Sequence, residues 1–307
     1  MKGLALLTNT AAYMVIKLGS RMGKILGLIR LMRPINCAMM GFAVIVGAAL
    51  TKSYMLNDYA HGLAFGFSTA FLLTAASMAI NDYYDREIDA INEPKRPIPS
   101  GAVKPLEALI FALILAIYGL ISAFLTNPSN FLCLFTATYF LLISIIYVTY
   151  GKKTGFFGNL LVSACVTAPF LYGSLIVENA VPIKTWIFAS MVFLANTGRE
   201  ITKGIADVEG DKIRNVKTLA VMLGERKTAV IAVTFYLLAV ALTPLPWFLG
   251  LVSSWFIPLV AITNLGLVIS SIILLENPSR ENAKKVKNQV LAWFFTGLLA
   301  FLLGSLG

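Results

Sequence analysis

The sequence predicts an all-α integral membrane protein of nine transmembrane helices, arranged as two four-helix halves plus one. Three observations carry this. The 307-residue chain is 58% hydrophobic and only 13% charged, with a mean hydropathy of +0.80, whereas soluble domains carry roughly a quarter charged residues. Nine apolar stretches are long enough, at about 17 to 25 residues, to cross a bilayer as helices. Lys and Arg alternate along the connections, so that 23 of the 25 fall on one side of the membrane.

The nine stretches cover residues 35–52, 62–81, 105–126, 131–150, 157–176, 183–202, 228–249, 255–275 and 289–306. Pro and Gly recur in and around them, which membrane helices tolerate because neighbours re-satisfy the freed backbone groups. Residues 35–307 therefore read as one integral domain, preceded by an arm, 1–34. The apolar run 3–16 of that arm lacks a small-residue cleavage site, and basic residues follow it, so it does not read as a signal peptide. "RMGKILGLIRLMRP" (21–34) places Arg21, Lys24, Arg30 and Arg33 between apolar residues. It is expected as an amphipathic helix lying on the cytoplasmic surface.

The arm carries six Lys or Arg. The connections after crossings 2, 4, 6 and 8 carry four, two, seven and four, and those after crossings 1, 3, 5 and 7 carry one, zero, one and zero. The positive-inside rule then puts the N-terminus and the even connections in the cytoplasm and the C-terminus outside. The net charge of +10 is thereby a one-sided membrane asymmetry, and a nucleic-acid partner is not expected. Cys37, Cys133 and Cys165 sit in apolar runs without pair spacing and read as small buried hydrophobes.

Two even connections are acid-rich: "NDYYDREIDAINEPKRPIPSG" (81–101) after crossing 2 and "NTGREITKGIADVEGDKIRNVKTLAVMLG" (196–224) after crossing 6. Four crossings separate them, so they emerge on the same side. Asn81, Asp85 and Asp89 stand at i, i+4 and i+8, on one face of a continuing helix with about 40° of drift per step. Asp82 lies about 100° round from Asn81. Asp207 and Asp211 repeat the i, i+4 spacing, and each follows its counterpart, Asp85 or Asp89, by 122 residues. Clustered carboxylates near a membrane repel one another unless a cation binds. Oxygen ligands without His or Cys favour Mg²⁺ over zinc, and Mg²⁺ usually completes its shell with substrate phosphates. Two facing acid clusters thus predict a metal-bridged diphosphate.

Diphosphate also calls for direct cations. Candidates on the same side are Lys152 and Lys153, Arg199 and Lys203, and Arg33 with Asn36. Arg33, Arg96 and Arg199 would suit a second phosphate, because a guanidinium fork binds phosphate oxygens in pairs. Intramembrane carboxylates can instead mark an ion pathway, but none of these acids lies in the middle of a crossing, so a transporter is the remote alternative.

"NDYYDREID" followed by "RPIPSG", with "REITKGIADVEGD" downstream, resembles the UbiA superfamily of intramembrane prenyltransferases. The resemblance covers nearly the whole chain. It implies Mg²⁺-dependent transfer of an isoprenoid chain from its diphosphate to an acceptor in the membrane. It places the metal and diphosphate on Asn81, Asp85, Asp89, Asp207 and Asp211, with Asp82 a further candidate ligand. "RPINCAMMGFAV" and "EIDAINEPKRPIPSG" are most similar to the archaeal members that join geranylgeranyl diphosphate to geranylgeranylglyceryl phosphate through an ether bond. Gly204 stands where that pattern has an acid. The alternative within the superfamily is an aromatic, quinone-precursor prenyltransferase. An aromatic face could stabilise the allylic cation, and Tyr147 and Tyr139, at i, i+8 on crossing 4, are the candidates. The sole His, His61, falls on the outer side and is no general base for this site.

Overall fold

The computed structural model describes residues 22–213 and 216–306. Among them every regular element is a helix. A helix over residues 22–32 (α1) is followed by α2 (Pro34–Lys52), α3 (Ala60–Asn92), α4 (Pro105–Thr126), α5 (Leu132–Thr149), α6 (Phe156–Val177) and α7 (Ile183–Ala206). Then come the short α8 (Val208–Ile213) and α9 (Leu219–Leu223), α10 (Glu225–Leu242), the short α11 (Leu245–Phe248), α12 (Phe256–Glu276) and α13 (Arg280–Ser305).

Local chemistry sets many of these limits. Pro34 and Pro105 open their helices at N1, where the missing N–H has no intrahelical partner to lose. Ser279 caps α13 by accepting the Asn282 N–H. Pro169 sits inside α6 without ending it, as the resemblance of this chain to a membrane protein allows. Gly155, at φ 64°, begins α6, and a Cβ there would stand 2.2 Å from the Lys217 carbonyl oxygen. Only glycine lets the α5–α6 turn lie this close to the backbone of segment 216–218.

Eight described helices are long and apolar enough to cross a membrane: α2 to α6, α10 continued into α11, α12 and α13. The expected sixth crossing, α7, is the exception. Its 24 residues are long enough, but Lys184, Arg199, Glu200 and Lys203 lower its apolar character. The arm expected before crossing 1 is described only as α1, and Lys2, Lys17 and Arg21 lie outside the described residues. Leu31 of α1 packs on Ile98, Val103 and Ala108, while Met22, Ile25, Leu26 and Ile29 form an exposed apolar stripe.

Two close approaches knit the centre. A Cβ on Gly47 of α2 would lie 2.1 Å from the Phe170 carbonyl oxygen, and one on Gly173 of α6 would lie 2.0 Å from that of Val44. The backbones of α2 and α6 therefore touch, the small-residue packing that binds helices in lipid. Phe170, Phe188, Phe256 and Phe301 fill the neighbouring core, with the Phe188 and Phe301 rings 4.3 Å apart in an edge-on arrangement.

Helix length positions the chemistry. The 33 residues of α3 span about 50 Å, well beyond a hydrocarbon core of about 30 Å. Its last three turns, from Asn81 to Asn92, carry the first acid cluster beyond that length as uninterrupted helix.

Candidate active site

The acid-bearing end of α3 meets the end of α7, the turn after α5 and the start of α2 around one open cavity of about 630 Å³. Asn81, Asp85 and Asp89 line it from α3, as the i, i+4, i+8 spacing expects. Asp207 and Asp211 face them from the α7–α8 junction. Asp207 ends α7, yet the Asp211 N–H donates to the Asp207 carbonyl at 3.2 Å, so the helical spacing survives the junction. Four aspartates thus share a cavity with Asn81.

Cations balance them. Lys152 donates to Asp85 Oδ2, and Asn81 Nδ2 donates to the same oxygen at 2.9 Å. Arg96 Nη1 donates to Asp89 Oδ2 at 2.5 Å. Arg33 and Lys203 complete the basic lining, and Tyr147 contributes the aromatic wall. Burial, reinforced by the neighbouring Asp207 carboxylate, pushes the Asp211 carboxyl up to about 6.

Five other residues expected at the site stand off this lining. Asp82 lies behind it, 3% exposed, accepting from Arg33 and Arg96. Arg199 turns to Glu200 and to the Lys287 carbonyl. Lys153 points to the exterior, and Asn36 remains half-buried in the first turn of α2. Tyr139 is 60% exposed on the outer surface of α5.

The cavity also contains groups that sequence reasoning passed over. Glu200 lines it, buried, and takes hydrogen bonds from Arg199 and Lys203. Its signal was available: Glu200, Gly204, Asp207 and Asp211 are spaced 4, 3 and 4, one helical face. Asn159 and Thr218 line the cavity too, and Thr218 Oγ1 is buried without a hydrogen-bond partner. Asn92 works from the side. It donates to the Asp207 carbonyl at 3.3 Å and accepts from Arg280 at 3.0 Å, tying the ends of α3, α7 and α13 together.

This donor set suits a hard cation that shares its shell with a ligand. Among the described residues no three carboxylates converge closely enough to hold a metal alone. An oxygen-rich anion entering the cavity would supply the missing ligands, which is the habit of Mg²⁺ with phosphates.

Residues 40–303 match the model of the UbiA prenyltransferase family. A digeranylgeranylglyceryl phosphate synthase of Archaeoglobus fulgidus is 36% identical over 271 residues, covering 87% of this chain and 91% of the relative. A solved structure described as giving insight into digeranylgeranylglyceryl phosphate synthase in membranes superposes with a TM-score of 0.69 at 31% identity, over 92% of this chain and 99% of that one. A UbiA homologue of Archaeoglobus fulgidus bound to DMAPP and Mg²⁺ shares the fold, with a TM-score of 0.64 at 19% identity over 89% and 99% of the two chains.

Proposed function

We propose, since this chain belongs to the UbiA prenyltransferase family, that it transfers a geranylgeranyl group from geranylgeranyl diphosphate to geranylgeranylglyceryl phosphate. The transfer would form the second ether bond of an archaeal membrane lipid and release diphosphate. One observation carries the reading: two acid clusters, 122 residues apart in sequence, line a single cavity together with Lys152, Lys203, Arg33 and Arg96. The name of the 36%-identical relative supports the acceptor, and the Mg²⁺-bound homologue supports the metal.

Asn81, Asp85 and Asp89 on one side and Asp207 and Asp211 on the other would hold Mg²⁺ together with diphosphate oxygens. When bound, Mg²⁺ supplies Lewis-acid neutralisation of the charge that gathers on the leaving diphosphate. Lys152 and Lys203 take up further negative charge directly, as fixed groups already in place before reaction. Lys152 exchanges its Asp85 partner for a phosphate oxygen. The bond between C1 of the allylic chain and its diphosphate oxygen breaks, and a bond forms from C1 to the acceptor hydroxyl oxygen. The hydroxyl proton passes to an acidic residue of the cavity or to the departing diphosphate. The Tyr147 ring offers a face to the positive charge spread over the allylic carbons.

α7 is taken as the sixth of nine crossings, its charged C-terminal turns lying beside the cavity and outside the hydrocarbon. With the positive-inside bias, the cavity and the N-terminus face the cytoplasm and the C-terminus faces outward. The stripe Met22–Ile25–Leu26–Ile29 then seats α1 in the membrane interface. Membranes holding the protein should release diphosphate from geranylgeranyl diphosphate only when an acceptor is added. Solute flux without such release would favour a transporter instead.

A further inference from the structure

We propose that Asp82 is a positioning residue, not a metal ligand: it holds the Arg33 and Arg96 guanidiniums as a clamp for phosphate oxygens in the cavity. The proposal rests on the reading of that cavity as a phosphate-handling site and assigns a role that the DxxxD spacing does not reach.

The geometry separates Asp82 from the other acids. Asp85, Asp89, Asp207 and Asp211 line the cavity, and Asp82 does not. Its Oδ1 accepts from Arg33 Nη2 at 2.5 Å and from Arg96 Nη1 at 3.4 Å. Both arginines do line the cavity. A 3%-exposed carboxylate thus stands behind two cations that face the ligand space. An oxygen already shared by two guanidiniums is a poor candidate to enter a metal's shell as well. Two guanidiniums, by contrast, keep further N–H donors free, since each carries five in a fixed fork.

The backbone supports the same role. Arg33, in the turn between α1 and α2, adopts φ 52° and ψ 67°, the one positive φ at a non-glycine residue among those described. A side-chain-bearing residue holds that conformation at a cost and does so where its surroundings over-determine it. Leu31 anchors α1 on one flank, and the Asp82 contact fixes the side chain on the other. Arg96 is shared with Asp89. If Asp89 is drawn towards a metal, Asp82 remains as its anchor.

The clamped phosphate could belong to the donor diphosphate or to a phosphate-bearing acceptor, and kinetics can tell these apart. The full chain, purified in detergent, is assayed as wild type, Asp82→Asn and Arg33→Gln, varying donor, acceptor and Mg²⁺ separately. Calorimetric binding of inorganic pyrophosphate at saturating Mg²⁺ is measured alongside. Loss of one charge-assisted clamp should weaken one phosphate by roughly tenfold or more, with the Mg²⁺ concentration for half-maximal activity unchanged. A rise confined to the acceptor KM assigns the clamp to the acceptor. A rise in the donor KM together with weaker pyrophosphate binding assigns it to the donor. Arg33→Gln leaves the buried acid with Arg96 and should reproduce the phenotype if Asp82→Asn folds poorly, and the double variant should be less than additive. A raised Mg²⁺ requirement with both phosphates bound as in wild type would make Asp82 a metal ligand and overturn the proposal. So would variants indistinguishable from wild type. If the wild type binds pyrophosphate but ignores geranylgeranylglyceryl phosphate, the acceptor reading fails, and the pyrophosphate arm alone decides the role of Asp82.

Discussion

The Lys152 ammonium donates to Asp85 Oδ2, joining the turn after α5 to the end of α3 at the acid-lined cavity. A cation is thereby stored on the carboxylate that faces Asp207, in the position where a ligand phosphate would compete for it.

Asp85→Ala and Asp207→Ala should each abolish turnover while membrane insertion survives, because each removes one side of the metal bridge and neither touches an apolar crossing. The check is product formation per mole of detergent-extracted protein. Near-normal activity in either variant would remove the bridge.

Arg33→Ala should raise KM for geranylgeranylglyceryl phosphate more than KM for geranylgeranyl diphosphate. The donor retains the metal, Lys152 and Lys203, whereas a phosphate-bearing acceptor depends on the guanidiniums. An equal rise in both constants would contradict this division.

Burial, with the neighbouring Asp207 carboxylate, pushes the Asp211 carboxyl up to about 6. Below that pH it holds a proton that a bound cation must displace. The Mg²⁺ concentration for half-maximal activity should therefore climb as pH falls through 6 and level off above it. Asp211→Asn should bind Mg²⁺ more weakly at every pH and shrink the climb to the part contributed by Asp89, which burial also pushes up to about 6. A profile that is unchanged in that variant would place the titrating group elsewhere.

Gly173→Ala should cost about 1–3 kcal/mol of stability, the usual range for overpacking a close contact. Its methyl would meet the Val44 carbonyl of α2, and backbone cannot give way as a side chain can. Gly204→Ala, where nothing stands within 4 Å, is the control and should melt no lower than wild type in detergent.

Much of this architecture is legible in the sequence because lipid imposes long apolar runs whose ends are marked by Pro, Gly or charge. The expected crossing 105–126 coincides with α4, and the others differ mainly where helices continue past the membrane. Residues 81–92 are one such extension: polar in composition, they still form helix, and the i, i+4 spacing of Asp85 and Asp89 depended on it. The site was harder. Spacing places acids on a face but does not say what stands opposite, so Asp82 could be separated from Asn81 only by its rotation of about 100°. The inward turn of Glu200 and the pairing of Arg199 with it are tertiary facts. Asn92 could not be singled out either, because its partners, Asp207 and Arg280, come from distant parts of the chain.

The most direct measurement is incubation of the purified protein with Mg²⁺ and radiolabelled geranylgeranyl diphosphate against a panel of acceptors. Label should pass into a digeranylgeranyl lipid when geranylgeranylglyceryl phosphate is supplied, and a chelator should stop it. Label passing to a hydroxybenzoate while that lipid is ignored would contradict the assigned acceptor, and no transfer to any acceptor with Mg²⁺ present would contradict the reaction itself.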